Sequence, residues 1–452
     1  MLANIGWTIE EWQTAYRSGN LNPAEVLFAL ADSLEPTDPT WICIASKRQI
    51  QIQLNMLPSL QKGAIPAHLP LYGIPFAVKD NIDVAGFPTT AGCPAFAYTP
   101  KSDASAVYLL RRAGAIVIAK TSMDQFGAGL TGVRTSRGVP ENPFNREYVP
   151  GTGSAVAVSR GIVPFSLDTD TAGAGRIPAG FNNIVGWKPT RGHVSSRGIV
   201  PVCRTLDCVS VFALTVQDVR TIGNLIGMFD PLDPYSQRKP TRVPEFLPGS
   251  LLFAVPDKMN WYGDTAAAKA WETTLECMQS WGAIFSSVDF SPMYELSNML
   301  YEKAWVAERY AGVGAFIETH PDTVHPVVAK IITEGKKYTA VDMCQTEYQR
   351  AELALKIRNT ISGYTALLVP TVSHFPTVQE ALNNTSNIDR ELGTYSHFVN
   401  LANDCALTCP GMSREDGLPF GITLIAPAWH EDLLTQVGLR WEALFPWKRG
   451  AT

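Results

Sequence analysis

Short apolar runs alternate with amphipathic segments along most of this chain. Near the start, the pattern predicts a helix over Ile9–Arg17, and Pro23 opens a second helix that runs to Ser33. Asn22 is its candidate N-cap, because a side-chain oxygen there can accept from the free N–H groups of the first turn. From Leu71 onward, GIPFAVKD reads as a buried strand ending in charge, ASAVYLLRRAGA as a helix closed by Gly114, and AIVIAK as the next strand. Later, AAAKAWETTLECMQSW predicts a helix, AIFSSV a strand and VDMCQTEYQRAELALKIRNTI a long helix. TALLVP and FGITLIAP read as interior strands, and LLTQVGLRWEALF as a closing helix. This alternation predicts a single large α/β domain over residues 1–452, with a mixed, mostly parallel sheet covered by helices on both faces. Helices fill residues 1–65 in this reading, and only the Pro-rich stretch Asp230 to Pro248 resembles a linker.

Composition narrows the function classes. Of 452 residues, 46% are apolar and 17% charged, enough for a sizeable core and unlike a disordered chain. Lys plus Arg total 37 against 42 Asp plus Glu, so no basic excess exists to neutralise phosphates, and no nucleic-acid partner is expected. The eight cysteines form no CxxC and read as small buried hydrophobes in a reducing compartment. MLANIGWTIEEWQ has no basic n-region followed by an apolar run, and no stretch approaches the about 20 apolar residues of a membrane span. A cytoplasmic protein without membrane contact is expected. The seven histidines show no metal spacing, so no metal is expected from them; no cofactor is expected.

Candidate chemistry concentrates in PGTGSAVAVSRGIVPFSLDTDTAGAGRIPAGFNNIVGWKPTRG, residues 150–192, which holds eight glycines. Glycines admit positive φ and close approach to a ligand, and successive free N–H groups form anion-binding nests. A phosphate loop is excluded by the lack of GxxxxGK[ST], and of GxGxxG between strand and helix. A tightly turned core crossing remains the structural alternative.

Taken with LYGIPFAVKDNIDVAGFPTTAGCPAF, the segment resembles the amidase signature family, and the similarity runs from Leu71 to Pro427. The resemblance implies a signature core over 71–215, with 216–452 completing the sheet and pocket. It also implies a Ser–Ser–Lys triad. Lys79 matches its lysine, and Thr171, Ala172 and Gly173 match the turn whose N–H groups form the oxyanion hole. MDQFGAGL, FNNIVGWKPTRG, CRTLDCVSVFALTV, WVAERYA, LGTYSHFVNL and GLPFGITLIAPAW are similar to stretches of the allophanate hydrolase branch. That branch implies a small amide or ureido carboxylate as substrate, held by Tyr301 and Arg309. Spaced i and i+8, these two are expected on one helix face, and the Arg fork suits a planar carboxylate.

The pattern breaks at the reacting groups. TDTAGAGRIP puts Ala174 at the nucleophile position. VPGTGSAVAV is three residues shorter than the family's bridging-serine loop P-G-G-S-S-S-G-S-A-V-A-V, and only Thr152 keeps a hydroxyl there. Ungapped counting puts Pro150 at the bridging position, and Asp168 stands where the family usually has Gly. Three readings follow: an inactive or substrate-trapping allophanate hydrolase-type chain, an amidase using Thr152, Ser154 or Thr171, and a noncatalytic subunit of an amidase or amidotransferase complex. Homodimer formation is left open. The branch's C-terminal decarboxylating domain is expected to be absent, since the sequence stops at FPWKRGAT.

Overall fold

The computed structural model of the protein describes residues 5–60, 64–241, 249, 251–384 and 387–452. Among the described residues, eleven strands form one sheet: β1 Trp41–Ile44, β2 Pro75–Lys79, β3 Ile116–Thr121, β4 Phe165–Asp170, β5 Val185–Lys188 and β6 Cys208–Ala213 come first. They are followed by β7 Leu251–Pro256, β8 Ala283–Val288, β9 Ala366–Pro370, β10 Cys405–Pro410 and β11 Gly421–Ala426. Their spatial order is β1-β3-β2-β4-β6-β5-β10-β11-β9-β7-β8.

Both faces of the sheet are covered, and the strand sequences show why. Along β9, Ala366 and Leu368 enter one apolar core while Leu367 and Val369 enter another. A strand points successive side chains to opposite faces, so a continuous apolar run feeds two cores. Helices Val216–Ile226 and Glu431–Leu444 pack on the first core through Val219, Ile222, Leu434 and Val437. Helices Ser291–Glu302 and Ala340–Ile361 pack on the second through Met293, Leu296, Leu353 and Ile357.

The sheet is mixed, as expected, but not mostly parallel. Among the described residues, only β2–β3, β2–β4, β7–β8 and β7–β9 run parallel. The ladders β1–β3, β4–β6, β5–β6, β5–β10, β10–β11 and β9–β11 are antiparallel. Parallel neighbours need a long crossover, usually a helix. Helices Ser105–Arg112 and Thr265–Ser280 supply such crossovers, whereas a helix-free loop of residues 411–420 joins β10 to β11.

The N-terminal segment also departs from the all-helical expectation. Helices Ile9–Arg17, Pro23–Asp32 and Lys47–Leu54 form, and Asn22 caps the second by accepting from the Ala24 and Glu25 N–H groups. Between the last two lies β1, which closes one sheet edge against β3. In the suggested linker, residues 242–248 lie outside the described residues. The preceding part is fastened to the body: Arg197 Nε donates to Asp230 at 2.9 Å, and Gln237 N–H donates to the Gly192 carbonyl at 2.8 Å. No helix among the described residues is long and apolar enough to cross a membrane.

Candidate active site

The site begins where β2 ends. PFAVK is buried throughout, and parallel pairing with β4 sets Val78 beside Leu167, so the next residues, Lys79 and Asp168, meet at the sheet's interior end. Lys79 Nζ lies 2.5 Å from Asp168 Oδ1 and 3.3 Å from the Thr169 carbonyl. Lys79 is 2% exposed and Asp168 not at all, so this is a dry ion pair. Asp168 Oδ1 also accepts from the Thr169 N–H at 2.8 Å, and Oδ2 from Thr152 Oγ1 at 3.3 Å. Burial pushes the Asp168 carboxyl above its ordinary range, while the Lys79 charge is the chief influence opposing that rise.

Thr152 is the N-cap of helix Gly153–Ser159, its Oγ1 accepting from the Ala155 N–H at 3.3 Å. The shortened loop therefore runs from Pro150 into a helix, and the hydroxyl it retains is spent on that cap and on Asp168. Gly151 has φ +81°, and a Cβ there would lie 2.6 Å from the Pro178 ring, so the short loop itself depends on glycine. Ser154 is fully buried, with Oγ 2.7 Å from Thr121 Oγ1.

The turn after β4 is built around Asp170. Its carboxylate accepts from the Gly173 N–H at 2.9 Å, the Gly175 N–H at 3.1 Å, and Arg176 Nε and Nη2 at 2.9 and 3.1 Å. These donors, Arg176 above all, hold the Asp170 carboxyl below the usual range against the opposing effect of burial. The expected oxyanion set needs one correction: the Gly173 N–H is already donated to Asp170, and Gly173 does not line the cavity. Thr171, Ala172 and Ala174 do line it. Among the described residues, their N–H groups have no acceptor. Thr171 Oγ1 donates to Asp207, whose carboxyl burial pushes up to about 7.

Lys79, Ala174, Tyr301 and Arg309 share one narrow cavity of about 30 Å³. The expected single helix carrying Tyr301 and Arg309 is not formed. Tyr301 lies on helix Ser291–Glu302 and Arg309 on helix Trp305–Thr319. Lys303 between them is extended, with φ −126° and ψ −178°, and the break lets Trp305 bury its ring in the second core. Tertiary packing overrides the local helical pattern here, and the two side chains still converge.

Three cations line this cavity. Lys79 is paired with Asp168, and Arg134 with Asp389 at 2.6 Å. Arg309, 9% exposed, has no carboxylate within ion-pair distance among the described residues. The arrangement can accept one anionic group, since a nearly buried guanidinium without a counter-charge favours a carboxylate.

Sequence reasoning missed His397. Its Nδ1 lies 2.5 Å from the Ala172 carbonyl, and its Nε2 lies 2.8 Å from the Tyr301 hydroxyl and 3.0 Å from the Asp389 carbonyl. Each ring nitrogen faces a carbonyl, and Nε2 faces the Tyr301 hydroxyl as well, while a neutral imidazole donates from one nitrogen only. Burial holds the imidazole neutral by lowering its pKa to about 4. His397 thus ties the Tyr301 hydroxyl to the turn that carries Ala174. The signal was present in LGTYSHFVNL, which departs from the branch's LGTYTNFVNL at this residue. Arg134 and Asp389 had no such signal, whereas Asp124 lies in the stretch MDQFGAGL. Asp124 accepts from the Gly132 and Arg134 N–H groups and shapes the 127–134 wall.

A family model described as amidase matches residues 26–435. Urea amidolyase of Saccharomyces cerevisiae is 40% identical over 98% of this chain, which spans only 24% of that relative. The solved allophanate hydrolase of Kluyveromyces lactis aligns with a TM-score of 0.93 at 40% identity, covering 98% of this chain and 73% of that one. A glutamyl-tRNA(Gln) amidotransferase subunit of Deinococcus deserti is 31% identical over 82% of this chain and 82% of its own length. The strand ending in Lys79, the turn built on Asp170 and a family match over most of the length agree: the chain belongs to the amidase family.

Proposed function

We propose that this chain is an allophanate hydrolase-type amidase domain that retains a carboxylate-binding cavity and has lost amide hydrolysis. The observation that carries the reading is the Lys79–Asp168 pair beside Ala174. A lysine held at 2.5 Å by a buried carboxylate is tied up in that ion pair, and a methyl group at residue 174 cannot attack a carbonyl. Thr171, Ala172 and Ala174 would still present N–H groups to a bound oxygen, while Tyr301 and Arg309 would hold the ligand's carboxylate. The alternative hydroxyls are engaged elsewhere: Thr152 with Asp168, Ser154 with Thr121 and Thr171 with Asp207.

The amidotransferase relatives support a second reading, in which the chain is a noncatalytic subunit of a larger complex. Copurification of a stoichiometric second polypeptide would favour it. The primary test pairs two measurements on the purified chain. Ammonia release from allophanate is expected at background, and calorimetric titration with malonate is expected to show binding that Arg309→Ala weakens. Rapid turnover overturns the loss of hydrolysis, and equal malonate affinity in both proteins overturns the carboxylate cavity.

A further inference from the structure

The His397 ring is shared between two cavities. One is the narrow space beside Lys79. The other, about 340 Å³, is lined by Lys258, Tyr262, Tyr294, Ser297, Arg390 and His397 among others. A volume of that size falls in the range of small-molecule sites, whereas the first cavity is about tenfold smaller. We propose that this second cavity is a separate binding site for a small planar carboxylate.

Charge gives the first part of the argument. Two cations and no carboxylate line the cavity among the described residues. Arg390 is partly neutralised by Glu302 at 2.7 Å, but Lys258 has no ion pair among the described residues. An anion entering there gains attraction from Lys258, which interacts with the exposed Asp289 carboxylate only beyond ion-pair distance. Shape gives the second part. Tyr262 and Tyr294 supply aromatic surface, and such rings favour flat ligand groups in stacked or edge-on contact. The floor gives the third. Ser297 is 6% exposed, and its buried Oγ has no hydrogen-bond partner among the described residues. Buried hydroxyls are nearly always satisfied, so this one leaves a hydrogen-bonding capacity that the fold does not use. His397, 1% exposed, separates this floor from the Ala172 turn and the Tyr301 hydroxyl.

The site stands independently of the reading of the first cavity, and its test keeps the two apart. Calorimetric titration of the full chain compares benzoate, acetate, which lacks the ring, and benzamide, which lacks the charge. Benzoate is expected to bind about tenfold more tightly than either control. Lys258→Glu, at an exposed position where folding is not at risk, should weaken benzoate about tenfold or more. Ser297→Met, which fills the floor, should also reduce binding. Arg309→Ala should leave benzoate affinity within about twofold, because Arg309 lines only the other cavity. Absence of benzoate binding, loss of it in Arg309→Ala, or indifference to Lys258→Glu overturns the proposal.

Discussion

Asp168 and Asp170 sit two residues apart on β4, both fully buried and both ion-paired, yet their surroundings differ sharply. Asp170 accepts from a two-pronged guanidinium and two backbone N–H groups, and these hold its carboxyl low. Asp168 has a single lysine ammonium, one N–H and one hydroxyl, and burial keeps its carboxyl high. The first carboxylate builds the turn to which the family resemblance assigns the cradling of a reacting carbonyl. The second takes hold of the lysine that the family resemblance assigns to proton transfer. On the function proposed above, the frame persists while the groups that move protons are replaced, because folding stability maintains the frame and not the chemistry.

The strongest way to break this contrast is to rebuild the chemistry on the retained frame. Ala174→Ser alone should stay near background, since Asp168 still holds Lys79. Combining Ala174→Ser with Asp168→Gly and a Gly-Gly-Ser-Ser-Ser-Gly loop in place of residues 151–153 should raise ammonia release far above any single change. Loss of a triad nucleophile commonly costs about 10⁶ in kcat, or about 8 kcal/mol, which bounds the recovery. An unrepaired chain as active as the repaired one would show that Asp168 and Ala174 do not silence the site.

Stability separates the two carboxylates next. Asp170→Ala strands Arg176 and frees two N–H groups, and should cost about 3–5 kcal/mol in urea denaturation. Asp168→Ala strands Lys79 and should cost somewhat less. Lys79→Met with Asp168→Leu should be milder than Asp168→Ala, because an apolar pair leaves no buried charge uncompensated. If the double replacement is the worse of the two, the Lys79–Asp168 pair stabilises the fold more than its desolvation implies.

His397 provides a pH-dependent test. Its folded pKa of about 4 lies below the ordinary 6.5, so the unfolded chain binds more protons between those values. Its contribution is therefore present above pH 6.5 and lost as pH falls toward 4, amounting to about 3 kcal/mol over that window. His397→Asn should remove that component from the difference between the two denaturation profiles. Parallel profiles would show that the imidazole is not held neutral. The smallest effect expected is on ligand affinity, with Arg309→Ala weakening malonate by about 2–3 kcal/mol by calorimetry.

Much of this protein follows from sequence pattern alone. The helix over Ile9–Arg17, the buried strand ending in Lys79 and the strand Ile116–Thr121 follow from local spacing, because apolar period and capping chemistry act within a few residues. Ala174 and the shortened loop were equally legible, being substitutions in a recognisable motif. The tertiary structure decided what those substitutions became. That Asp168 faces Lys79 depends on the register between β2 and β4, residues 89 apart in the chain. That Tyr301 and Arg309 converge from two helices depends on the chain leaving the helical path at Lys303, so that Trp305 starts the next helix with its ring in the core. Strand direction was likewise beyond local pattern, since a buried apolar strand reads the same whichever way its neighbour runs. Pairing partners, buried charge and cavity walls arise from contacts between distant segments, and only the assembled sheet brings those segments together.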